Sequence, residues 1–186
     1  MTSILITTAS TLSDLQAIKS LQEKNMKSAL APSEAQTEGF VTAEYSLEFL
    51  QLMNEASPAI VAKDGEQIAG YAIATIKSIG IQHDLLRDLF DTIETLSYQS
   101  KRLGDTNYIV VGQLCVAKGY RGMGIAKLLY EAFRKIYSTQ FDYCITDVAE
   151  DNPRSLAAHI KAGFQVVNTL HYGGVSWHVV LWDWNS

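Results

Sequence analysis

The chain has 186 residues, 47% of them apolar and 19% charged, with 15 Lys plus Arg against 20 Asp plus Glu for a formal net charge of −5. A chain of this length and composition buries one core without disulfides or a structural metal, lies far from the composition of disordered proteins, and would make two domains cramped. No cluster of Lys and Arg is present to track a phosphate backbone, and apolar runs such as Pro58–Ala62 and Tyr108–Val111 are far shorter than the roughly 20 residues that span a bilayer, so neither nucleic acid nor membrane is expected as a partner.

In chain order, Met1-Thr2-Ser3-Ile4-Leu5-Ile6 lacks the basic region and long apolar stretch of a secretory leader, which sets a cytoplasmic expectation, and Ile4–Thr7 reads as a short strand. Thr11-Leu12-Ser13-Asp14 opens a helix with Leu15, Ile18 and Leu21 at helical spacing. Residues 26–43, with Pro32, Gly39 and scattered polar residues, read as a loop or broken helix of the kind that borders sites. A helix over 46–56 follows, with Leu47, Leu50 and Met53 on one face. Two extended runs, Ala59–Ala62 and Ile68–Ala74, flank a turn at Asp64-Gly65 and give the clearest hairpin signal in the chain.

From Asp84 to Lys101 an amphipathic stripe of Leu85, Leu89, Ile93 and Leu96 predicts a helical insert within about 79–107, an insert that would also serve a homodimer interface. Tyr108–Val116 is too long and too apolar for an edge strand and reads as the centre of the sheet. A glycine-bearing loop follows, then a helix over Lys127–Tyr137 with Leu128, Leu129, Phe133 and Ile136 inward, and a strand over Tyr143–Val148. Asn152-Pro153 starts a helix that stops at Gly163, and Gln165–Val167 and Gly174–Trp182 are two last strands around Gly173. The two cysteines, Cys115 and Cys144, fall in apolar strands, where free thiols behave as small buried hydrophobes. The expected fold is one α/β domain over 1–186 with a mixed sheet.

The loop Arg121-Gly122-Met123-Gly124-Ile125-Ala126 stands where a strand feeds a helix. Backbone N–H groups at a helix N-terminus can hold a pyrophosphate, glycines let the backbone approach closely, and an arginine adds a charge-assisted contact. An ordinary tight turn would read the same way. The dinucleotide pattern Gly-x-Gly-x-x-Gly is absent, because Lys127 follows, and so is the P-loop signature.

Val116, four intervening residues, this loop and Lys127-Leu128-Leu129 resemble the signature of the Gcn5-related N-acetyltransferases (GNAT), in which Gln or Arg, two residues, Gly, one residue, and Gly or Ala are matched by Arg121, Gly124 and Ala126. Their second signature is resembled by Asn152, Ser155 and Gly163-Phe164, and the two stand in the right order. The resemblance spans nearly the whole chain, with about Ile79 to Asn107 as an extra. It implies a GNAT-like fold in which the strands ending at Val116 and Val148 splay apart, with acetyl-CoA as cosubstrate and no metal. The pantetheine arm would lie along Leu114, Cys115 and Val116, and the pyrophosphate on Arg121, Gly122, Met123, Gly124, Ile125, Ala126 and Lys127. Asn152 would reach the cofactor from the other side, cap its helix, or do both.

Acyl transfer to an amine needs a neutral amine, a donor for the developing oxyanion and an acid for the departing thiolate. The Val116 backbone N–H is the candidate oxyanion donor. The family often places a Tyr four residues before the Gly of Gly-Phe; His159 stands there, either as a general acid if charged or as a boundary histidine. Tyr172 and Tyr120 are weaker substitutes. Val110 and Gly112 occupy the places where some members carry a strand Glu or His, which leaves Asp147 and Glu150 as bases, directly or through water, or as solvated strand-end carboxylates. His83 and Asp84 would close over the acceptor or cap the insert, and Phe40, Tyr45 and Tyr98 would line its pocket or belong to the core. The expected reaction is acetyl transfer to a primary amine of a small molecule or a protein by direct attack in a ternary complex. The alternatives are a non-catalytic acyl-CoA-binding module and transfer of a longer acyl group.

Overall fold

A computed structural model describes residues 4–185; Met1–Ser3, part of the stretch read for a leader, and Ser186 lie outside them. Seven strands form one sheet in the order β1-β2-β3-β6-β7-β9-β8: β1 Leu5–Thr8, β2 Ile60–Asp64, β3 Gln67–Thr75, β6 Tyr108–Val116, β7 Tyr143–Ala149, β8 Gln165–Tyr172 and β9 Val175–Asp183. Every neighbouring pair is antiparallel except β6 with β7. The long apolar strand at 108–116 is central, as its composition requires, and the last hairpin is longer than its sequence signal.

Strand side chains alternate between two faces. On one face Val61, Tyr71, Val110, Ile145 and Val179 pack against the helices α1 Leu12–Asn25, α3 Leu47–Ala56 and α5 Asp84–Thr95. On the other, Ile60, Ala72, Ile109, Cys144 and Val180 pack against α6 Ile125–Tyr137, with Leu156 and Ala162 of α7 Pro153–Ala162 at its edge. Thr11 caps α1 in a reciprocal capping box with Asp14, and Ser46 caps α3. The inward stripe of α6 is Ile125, Leu129, Tyr130, Phe133 and Tyr137, at roughly 1.5–3 kcal/mol for each large side chain fully buried. The helix begins at Ile125 rather than Lys127, and its inward face runs through Tyr130 and Tyr137, so Leu128 and Ile136, expected inward, are exposed.

The insert departs from a single long helix. After a short α4 at Lys77–Gly80, α5 ends at Thr95, and Gln99 and Ser100 take left-handed φ of 48° and 66° in a tight turn between β4 Ser97–Tyr98 and β5 Lys101–Arg102. Leu86, Leu89, Phe90 and Ile93 are buried against the sheet. Leu89 and Ile93 of the expected stripe are therefore spent on the chain's own core, with Leu85 and Leu96 half-buried. The segment over 26–43 is a strap with one short helix, α2 Pro32–Glu38, crossing from the 118–121 loop, through Glu34–Lys118 at 2.9 Å, to the start of α7, through Lys27–Asp151. Among the described residues no helix is long and apolar enough to cross a membrane.

Candidate active site

Strands β6 and β7 pair over only three positions, Tyr108 with Tyr143, Ile109 with Cys144 and Val110 with Ile145. Beyond them β6 stays with β3 and β7 with β9, so the two parallel strands diverge. Two side chains finish the transition: Thr146 donates its hydroxyl to the Val111 carbonyl at 2.7 Å, and Tyr45 donates to the Gly112 carbonyl at 2.7 Å. Gly112 is the extra residue of a bulge, since Ile73 faces Gln113 while Ala74 faces Val111. A Cβ there would lie 2.7 Å from the Thr75 hydroxyl, so the bend requires glycine.

Past the bulge the hydrogen-bonding directions follow from one contact. Ala117 N–H donates to Ala69 on β3 at 2.8 Å, so alternation turns the backbone groups of Val116 and Leu114 away from β3, into the gap. The Val116 carbonyl is met there by Arg121 Nε at 3.3 Å; its N–H faces open space in the fork. A cavity of about 330 Å³ runs from this strand to the loop, lined among others by Leu114, Cys115, Val116, Gly122, Gly124 and His159.

Gly122 and Gly124 sit at φ of 80° and 79°, a left-handed conformation costly for other residues, and a Cβ on either would meet nothing within 4 Å. These glycines serve the backbone path and a bare surface, not internal packing. Gly124 heads α6 without a side-chain cap, so the N–H groups of Ile125, Ala126 and Lys127, which have no partner inside the helix, keep an uncapped positive helix end beside the cavity. An uncapped helix end of this kind attracts an anion. Ile125, Ala126 and Lys127 line the cavity with the glycines, whereas Met123 is 58% exposed outside it. Arg121 does not reach out as a free cation. Its Nη2 donates to Asn25 at 2.6 Å and its Nη1 pairs with Glu38 at 3.3 Å, pinning the loop to the end of α1 and to α2.

A smaller cavity of about 80 Å³ continues on the other side of Leu114 and His159, walled by Phe40, Tyr45, Leu85, Leu86, Asp147 and Trp177. Asp147, opposite Val179 on β9, is half-buried here, and burial raises its carboxyl to about 7. It is the carboxylate the sequence offered beside Glu150, which is exposed. Asn152 belongs to this wall and not to the larger cavity. Its Oδ1 accepts from Ser155 N–H at 3.3 Å to cap α7, and its Nδ2 donates to the Phe40 carbonyl at 2.9 Å, so one end caps the helix and the other holds the strap.

His159 lies where the two cavities meet, buried with its ring edge-on to Tyr130 and Phe164 at 5.4 and 5.2 Å. Its Nδ1 is 2.7 Å from the Ser155 carbonyl, so Nδ1 carries the proton and Nε2 is a lone-pair acceptor. Burial pushes its pKa down to about 4, which disfavours the charged form that an acid would need. The tyrosine substitutes are elsewhere engaged or placed. Tyr120 donates to Asp64 at 2.8 Å, and Tyr172 stands at the tip of the last hairpin, its carbonyl accepting the Trp177 indole N–H at 3.3 Å. His83 Nε2 is 3.2 Å from the Glu44 carbonyl, its ring stacked on Phe49 and edge-on to Tyr45, so it backs the wall of the smaller cavity; Tyr98 packs on Tyr143, away from both cavities.

Sequence reasoning missed the Gln113 network. Gln113 accepts from Gln22 at 3.0 Å and Tyr71 at 2.6 Å and donates to the Ala43 carbonyl at 2.7 Å, while Gln22 accepts from Tyr45 N–H at 3.0 Å. A glutamine inside the central apolar strand was the available signal, since a buried amide must be satisfied. It fixes the end of the strap over the smaller cavity.

The family model of the acetyltransferase (GNAT) family matches residues 22–164. The chain belongs to the GNAT acetyltransferase family. Solved structures agree in fold at low identity. Arabidopsis thaliana NAA60 in complex with acetyl-CoA superposes with a TM-score of 0.67 at 17% identity, over 97% of this chain and 99% of that one. The Escherichia coli ribosomal-protein-S18-alanine N-acetyltransferase gives 0.64 at 12%, over 97% and 94%. YncA of Salmonella typhimurium with its cofactor acetyl-CoA gives 0.63 at 13%, over 97% and 93%. Comparison with curated protein sequences gives no match.

Proposed function

We propose that this GNAT protein transfers the acetyl group of acetyl-CoA to a primary amine by direct attack in a ternary complex. The observation that carries the reading is the fork. One opening joins an uncapped helix N-terminus, the outward N–H groups of Leu114 and Val116, and a carboxyl poised near neutrality, in that order. The 122–127 backbone would hold the pyrophosphate, and Leu114 to Val116 the pantetheine. Arg121 sets the loop and Asn152 the strap, neither as a free ligand.

Bound acetyl-CoA would supply an activated thioester, so that attack by a neutral amine forms the C–N bond, breaks C–S and releases the thiol. Asp147, with its carboxyl near 7, takes the first proton from the incoming ammonium and passes it to solvent. The Val116 N–H stabilises the oxyanion. The nitrogen becomes strongly acidic once it is bonded to the acyl carbon, so its remaining excess proton goes to the departing sulfur and no imidazolium is required of His159. Direct attack is favoured over a covalent enzyme intermediate because Cys115, the thiol in the cavity wall, is buried and pushed up to about 12.

The test is release of free CoA from acetyl-CoA across a panel of amines, with calorimetry of acetyl-CoA binding alongside. The expected result is binding with thiol release that depends on amine. Tight binding with no release from any amine would leave an acyl-CoA-binding module instead, and comparison of acetyl-, propionyl- and succinyl-CoA affinities sets the acyl preference.

A further inference from the structure

Taking the acetyltransferase reading as its basis, we infer that the acceptor is an unbranched primary amine with no carboxylate near the nitrogen, and that Leu85 of the insert helix is a residue that sets this limit. Three features of the smaller cavity carry the inference.

The first is size. A cavity of about 150 Å³ takes a benzene ring. The 80 Å³ here therefore has room for roughly an ammonium and two or three methylenes; the cavity is open to solvent, so an unbranched chain can extend outward from it, whereas a branch at the carbon bearing the nitrogen must fit inside. The second is charge. Among the described residues no Lys or Arg lines this cavity, and Asp147 is its acid. An amino acid would bring its carboxylate against Asp147 with no cation to meet it. Lys27, 4.8 Å from the centroid of the Phe40 ring, is already paired with Asp151.

The third feature is the wall. Phe40, Tyr45 and Trp177 give aromatic surface to an alkylammonium. The polar ends of Tyr45 and Trp177 are turned to the Gly112 and Tyr172 carbonyls, so they offer no hydrogen bonds to a peptide backbone. The insert helix adds Leu85 and Leu86 to this wall. Leu86 is buried in the core, but Leu85 is half-buried and can be shortened without emptying the core.

The experiment titrates protein holding CoA with n-butylamine, sec-butylamine, free alanine and an alanine-initiated peptide, by calorimetry, and follows acetyl-CoA turnover with the same four compounds. Expected are binding and acetylation of n-butylamine, with sec-butylamine and the peptide at least tenfold weaker and alanine inert. In Leu85→Ala the gap between n-butylamine and sec-butylamine should shrink several-fold. A peptide that binds or reacts as well as n-butylamine overturns the inference while acetyl transfer stands, as does a Leu85→Ala variant with an unchanged gap. Failure of n-butylamine to bind the CoA-loaded protein also overturns it. Absence of thiol release with every amine, despite acetyl-CoA binding, strikes at the acetyltransferase reading instead.

Discussion

The two cavities that meet at His159 are built on opposite principles. The donor side is about 330 Å³ and made of backbone: two left-handed glycines, an uncapped helix end and the outward N–H groups of one strand. The acceptor side is about 80 Å³ and made mostly of side chains, contributed by the strap, the insert, β6, β7, α7 and β9. Backbone recognition is tied to the course of the chain and hence to the fold. Side-chain recognition can change residue by residue, which is where specificity is expected to reside.

The largest effect expected on this contrast is at the donor side. Gly124→Glu forces φ of 79° on a β-carbon and points a carboxylate into the anion cradle. Calorimetry should show acetyl-CoA affinity falling by at least about 100-fold, with the fold retained by circular dichroism. A folded variant that still binds would take the loop out of the site and erase the distinction between the two cavities.

Asp147→Asn comes next and should separate the sides cleanly. Loss of a general base costs about 100-fold or more in kcat/KM, while acetyl-CoA affinity stays as it was. The wild-type rate should climb as pH rises through about 7, and the variant should lose that inflection. Stability moves the other way. The folded carboxyl keeps its proton between the ordinary 3.8 and about 7, where the unfolded chain has lost it, so stability falls as pH rises through that window. At pH 8 the asparagine variant should therefore be the more stable, by roughly 2 kcal/mol, in urea melts. An unchanged pH profile would return the base to Glu150 or to solvent.

The same contrast explains what the sequence disclosed. Arg121, Gly122 and Gly124 are legible because a backbone cradle leaves a local pattern at a strand-to-helix junction, and Asn152 with Gly163-Phe164 marks the next helix in the same way. The acceptor wall is not local: Leu85, Asp147 and Trp177 come from three elements and Tyr45 from the segment before α3. Leu85 read as one member of a helical stripe, and nothing in that stripe says that it faces a cavity while Leu86 enters the core. Asp147 was visible as a strand-end carboxylate, but its raised pKa depends on the walls that bury it. The arginine was expected as a phosphate contact, and its partners Asn25 and Glu38 stand 96 and 83 positions away. Helix boundaries were misjudged where a turn needed no glycine: Gln99 and Ser100 adopt positive φ inside what looked like a continuous stripe.

The smallest effect concerns the residue on the boundary. His159 has an ordinary pKa of 6.5 in the unfolded chain and about 4 in the folded one, because burial between Tyr130 and Phe164 opposes its charge. Below pH 6.5 the unfolded chain gains a proton that the folded chain refuses, so stability is lost progressively from 6.5 down to about 4 and is insensitive to this group above 6.5. His159→Phe keeps an aromatic ring there and removes the titration. At pH 7.5 the variant should be slightly less stable, by about 1 kcal/mol for the lost bond to Ser155; by pH 5 urea melts should show the gap closed or reversed. Parallel curves from 7.5 to 5 would mean that the ring is not held neutral. An imidazolium would then be available to the thiolate, and the boundary residue would belong to the chemistry rather than to the wall between its two halves.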